Sequence, residues 1–184
     1  VAGAPGLGEV ALLAHARRLV RGKAKGAPRA DVVFLDAPAT GHGLSLLEAP
    51  TLVAEAGGSG PFGELARDAA AHVADAATTA VVAVTTAEEM PVDETLELDR
   101  ALRRAFGRGP ALFVVNALRE PLPAGVPEVP AVTLWRRRRT LEQRELGRLR
   151  RLVAPPPVEL PLVPEASGPA LVAALRAVVG EGGR

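Results

Sequence analysis

Three runs of the chain are apolar on both of the faces a strand would present: "DVVFLD" at 31–36, "TAVVAVTT" at 79–86 and "ALFVVNA" at 111–117. Such strands need cover on both sides, which a parallel sheet between layers of helices provides. "PVELPLVP" at 157–164 adds a fourth strand or extended segment. The segments between them have helical spacing. Val10, Leu13, Arg17 and Val20 recur within 8–25, with the basic residues late, where they suit the helix dipole. Residues 44–56 and 62–77 read as helices separated by the loop "GGSGP", and Leu98, Leu102 and Phe106 share one side of a helix that starts near Pro91. A long charged helix ends near Val153, and Leu171, Val172, Leu175, Val178 and Val179 line one face of the last. The expected fold is therefore α/β, a parallel β-sheet sandwiched by helices in three layers. Ligands of such sheets bind beyond the carboxyl ends of the strands, and Asp36 and Asn116 stand at that edge.

Composition narrows the chemistry. A chain of 184 residues suits one domain with one core, and 48% hydrophobic with 23% charged residues reads as globular. The formal net charge of +1 argues against a polyanion-seeking surface. With no cysteine, disulfides and thiolate metal sites are excluded for this segment. No run reaches the roughly 18–20 apolar residues of a membrane span, and no signal peptide is visible, so a cytoplasmic location is expected. The run Arg136–Arg139 points around nearly a whole helical turn. Glu142 and Glu145 lie one turn on and can pair with Arg138, Arg139 or Arg148, so a solvated, ion-paired helix is expected. Nucleic-acid binding through that helix lacks aromatic support, aromatics being 3% of the chain.

The stretch "FLDAPATGHGLSLLEAP" resembles the signature of the ArsA-type anion-transporting ATPases, the P-loop NTPase family that also includes targeting factors for tail-anchored membrane proteins. Asp36, Thr40, Gly41, His42, Leu44, Leu46, Leu47 and Pro50 match the family's pattern in register. "VVAVTTAEEMPVDETLEL", "LFVVNALREP", "RRRRTLEQREL" and "VELPLVPEASGPALVAAL" resemble later family segments in the same order. The resemblance implies a nucleotide switch after Asp36, an adenine-reading Asn116, and an adenine loop beginning at Pro161 and Leu162. It also implies ATP and Mg2+ as ligands and a homodimer that shares nucleotide across a two-fold interface.

On that reading Asp36 holds a magnesium-bound water, as a hard oxygen ligand does. Gly41, without a Cβ, lets backbone N–H approach a γ-phosphate, and Thr40 adds a nucleotide contact. Release of the loop on phosphate loss is the switch. The plainer alternatives stay open: an aspartate closing a strand is also a turn or helix cap, Asn116 alone is a strand-end residue, and His42 suits a structural or relay role as well as a catalytic one. His15 and His72 read as structural.

The pattern also departs from the family. No G-x-x-x-x-G-K-[ST] loop occurs, Ala37-Pro38-Ala39 stands where the family has Thr-Ala-Pro, Gly43 replaces a Thr, and the loop between Pro161 and Gly168 is one residue short. The phosphate-gripping half is expected N-terminal to Val1, so residues 1–184 are read as a single ATPase domain fragment that cannot turn over ATP by itself. Without cysteine there is no arsenite thiolate site, and Met90 as the single methionine argues against a flexible client groove. The client is left unidentified. The alternative function is a nucleotide-binding or protein-interaction module without hydrolysis; a basic-helix nucleic-acid binder is weaker. Unpaired apolar strand edges lead to the expectation of a poorly stable or aggregating chain.

Overall fold

The computed structural model describes residues 6–23, 25–26, 29–37, 40–57, 60–163 and 167–182. Three parallel strands and six helices are present among them, an α/β protein. The chain divides into two compact units, Val1–Ala80 with Ala101–Arg108, and Val81–Arg100 with Gly109–Arg184.

The first unit is helical: α1 (Leu7–Val20), α2 (Thr40–Ala56), α3 (Pro61–Ala74) and the last turns of α4 (Glu89–Phe106). Val10, Leu13 and Ala14 of α1 are buried at the spacing of one helical stripe. Pro61 opens α3, where a missing N–H costs nothing, and Gly63, Ala66, Ala69 and Val73 form its buried face. Leu13, Leu46, Ala69 and Val73 make the core, with Leu47 and Phe106 packed against it. Gly57 ends α2 against its own helix, where an added Cβ would meet the Val53 carbonyl oxygen at 2.7 Å. Arg17 reaches Asp68 at 2.6 Å, and Arg108 donates from Nη2 to the Val73 carbonyl in the last turn of α3 at 2.7 Å, where a cation also suits the helix dipole.

In the second unit β1 (Val82–Thr86), β2 (Leu112–Leu118) and β3 (Val158–Pro161) lie in the order β1-β2-β3. Ala83 pairs with Phe113 and Thr85 with Val115, which puts these four on one face. That face buries Val92 and Leu96 of α4 and Leu146 and Leu149 of α5 (Pro130–Leu152). Phe113 and Val115 are both at 0% exposure. Val82, Val84 and Val158 on the opposite face are exposed. Arg148 of α5 donates to both Asp93 of α4 and Glu145, hydrogen bonds that raise its pKa. The last helix, α6 (Gly168–Gly182), packs on β3.

One expectation is corrected. Residues 31–36 form no strand: Phe34 is 90% and Val32 65% exposed, and Asp36 is exposed as well. A β-favouring run becomes a strand only when a neighbouring backbone satisfies its N–H and C=O groups, and the described sheet holds three strands without it. Nor is β1 buried on both faces; its residues alternate between exposed and buried.

Two outcomes follow from this packing. Phe113→Ala should cost the second unit about 3–5 kcal/mol, read from denaturant unfolding, because the site is sealed by strands and two helices. In the first unit, burial and then the nearby Arg17 and Arg21 lower the His72 pKa from 6.5, while Asp75 opposes them. Below pH 6.5 the unfolded chain takes up this proton first, so the His72 contribution is fully present above that pH and lost as pH falls toward the depressed folded value. His72→Gln should flatten the slope of melting temperature against pH between 5 and 7; an unchanged slope would show that other groups set it.

Candidate functional site

The carboxyl edge of the sheet is shaped by an irregularity in β2. Val115 pairs with Glu159 but Leu118 pairs with Pro161, so three steps along β2 match two along β3. The extra residue makes a bulge, which bends the strand and re-aims the side chains around it. Ala117 absorbs the bend with φ 60°, a left-handed conformation that a residue with a Cβ adopts at a cost. Its N–H donates to Asn116 Oδ1 at 2.9 Å, which sets which way the exposed Asn116 amide points. Beyond the bulge, Leu162 N–H donates to the Leu118 carbonyl at 2.8 Å. The edge thus brings together three of the expected nucleotide residues: Asn116, Pro161 and Leu162.

Helix α5 holds the chain that leaves this edge. Glu142, 5% exposed, accepts from the Arg119 N–H through Oε2 at 3.1 Å and from the Arg119 guanidinium through Oε1. Arg139 Nε donates to the Arg119 carbonyl at 3.2 Å, and Trp135 Nε1 to the Glu120 carbonyl at 3.0 Å. The Arg119 guanidinium lies 5.6 Å from the centroid of the Trp135 ring, within range of a cation–π attraction. Here a second expectation is corrected. Glu142 pairs with Arg119 of the turn, while Arg139, three residues before it on the same side of α5, is spent on the Arg119 carbonyl. Glu145 does meet Arg148, at 3.3 Å. The inward placement was written in the sequence: Glu142, Glu145, Leu146 and Leu149 fall on one helical stripe.

Asp36 belongs to the first unit, on the exposed segment that runs toward α2. Pro38 and Ala39 of the expected switch lie outside the described residues. Thr40 and Gly41 open α2, so their N–H groups are among those a helix leaves unused. The loop of residues 164–166 also lies outside the described residues, and the adenine loop is described only at Pro161, Leu162 and Val163. Among the described residues no group of three or more His, Asp or Glu is placed to hold a metal ion, and no helix is long and apolar enough to cross a membrane.

The positive φ of Ala117 gives a direct test of this geometry. Glycine pays no steric cost there but loses about 0.5–1 kcal/mol of backbone entropy, against about 1–2 kcal/mol of left-handed strain relieved. Ala117→Gly should therefore stabilise the second unit slightly, by about 0.5–1 kcal/mol; a destabilised variant would contradict the left-handed turn.

No protein-family model matches the chain, and no curated protein matches it.

Proposed function

We propose that the chain is the adenine-side part of an ArsA-like, P-loop-type ATPase, which binds ATP with Mg2+ and couples its hydrolysis to a switch after Asp36. The observation that carries this reading is the gathering of Asn116, Pro161 and Leu162 at the carboxyl edge of a parallel sheet, the position where such sheets take their ligands. Asn116 has the groups for adenine. One Oδ1 lone pair is used by Ala117, the second remains, and Nδ2 donates to no protein group among the described residues. An asparagine amide that accepts from the exocyclic amine and donates to the neighbouring ring nitrogen reads adenine, and meets acceptor against acceptor on guanine.

The Asp36 carboxylate, exposed to solvent, suits a cation that takes one or two carboxylates and completes its shell with water and phosphate oxygens, as Mg2+ does. When bound, the ion supplies charge stabilisation at the phosphates. Asp36 would hold one of its waters, and the N–H of Gly41 would face the terminal phosphate. Two-fold dimerisation and an unidentified client belong to the same reading.

The test uses calorimetric titration of the chain with ATP and GTP in the presence of Mg2+. Wild type should prefer ATP by about 10- to 100-fold, the worth of a two-point base contact, and Asn116→Ala should lose that preference. Equal affinities in wild type would overturn the adenine assignment. In a form of the protein that carries a phosphate-gripping loop, Asp36→Asn should lower ATP turnover by about 100-fold or more. Full turnover in that variant would remove Asp36 from the site.

A further inference from the structure

We propose that Glu142, with Arg139 and Trp135, forms a clamp on the turn after β2 and that these are positioning residues for base selection, acting through Asn116 without touching the nucleotide. The inference rests on the adenine reading of Asn116 and names what makes it selective. The three residues stand at spacings of four and three along α5, one stripe of the helix, and all reach the same two residues of the turn. Between them they take the Arg119 N–H, the Arg119 carbonyl and the Glu120 carbonyl. On the strand side, Leu162 takes the Leu118 carbonyl and Asn116 itself takes the Ala117 N–H. The backbone just beyond Asn116 is therefore tied from two directions, by β3 and by α5.

The choice of a charged group for this task is informative. A carboxylate as buried as Glu142 is costly to desolvate unless it is paired and its remaining oxygen is used, and both conditions are met by Arg119 alone. One residue is thus held by backbone and side chain at once. Arg119 is held further by a cation–π contact with Trp135, whose indole N–H is spent on the next carbonyl. A turn fixed this way keeps Ala117 in its left-handed conformation, which would otherwise relax, and with it the orientation of the Asn116 amide. Loss of the clamp frees that amide to rotate, after which donor and acceptor no longer distinguish adenine from guanine.

The experiment compares wild type, Glu142→Gln, Glu142→Ala and Trp135→Phe by calorimetric titration with ATP and GTP, and by hydrogen–deuterium exchange at the Arg119 amide. Glu142→Ala should speed Arg119 exchange and reduce the ATP preference by about tenfold, toward parity, with GTP affinity little changed. Glu142→Gln, which keeps an acceptor for the Arg119 N–H, should retain most of the preference. Trp135→Phe, which keeps a ring but removes one bond, should fall between them and serves if Glu142→Ala does not fold. A parallel loss of ATP and GTP affinity, or an ATP preference intact in Glu142→Ala and Trp135→Phe, overturns the clamp. Equal ATP and GTP affinity already in wild type, with Arg119 exchange still dependent on Glu142, instead overturns the reading of Asn116.

Discussion

Strand β2 is paired through its backbone with β1 on one side and β3 on the other, and with α4 and α5 packed over one face of this central strand Phe113 and Val115 lie out of water altogether. Much else in the second unit depends on it. The two side chains supply the apolar floor on which α4 and α5 pack. Parallel pairing brings the carboxyl ends of all three strands to one edge. A bulge at that edge then takes Asn116 and Ala117 out of the ladder with β3, while Asn116 stays paired with Thr86 of β1. A rigid strand that ends in an irregular turn lets a stable core and an accessible polar amide occupy adjacent residues.

Charge is distributed around α5 according to burial. Its two glutamates lie on the core stripe, while the arginines of the 136–139 run stand toward solvent or reach over the edge of the helix. Glu142 is compensated by Arg119 from the turn, and Glu145 by Arg148. The helix–turn contact in the second unit is thus polar where the helix–sheet contact is apolar. In the first unit the arginine contacts are less complete: Arg17 and Arg108 each hold a partner through a terminal nitrogen, yet the buried Nε of each has none among the described residues. A buried donor without an acceptor costs free energy comparable to a lost hydrogen bond.

Most elements were legible in the sequence. The helices at 7–20, 61–74, 89–106 and 130–152 follow from apolar residues at helical spacing, and two of them start on a proline where the missing N–H is harmless. The strands at 82–86 and 112–118 follow from short apolar runs. The run at 31–36 has the same composition and is not a strand, because pairing is a property of two backbones and composition reports only one. Within the candidate site, Asn116 was legible as a strand-end residue, while Pro161 and Leu162 stood out only through the resemblance to an adenine loop. The roles of Glu142, Arg139 and Trp135 were not, since their partners lie 15 to 23 residues away.

By itself the sequence determined the local periods: which faces of the helices are apolar, which short runs can serve as strands, and that thiolate chemistry is absent. Those properties depend on neighbours along the chain and survive any arrangement of the elements. Tertiary structure alone decided which runs find a partner, where β2 slips one residue against β3, and which base meets the carboxylate of Glu142. Each of these is settled by groups distant in sequence competing for the same hydrogen bonds, and only the folded chain brings the competitors together.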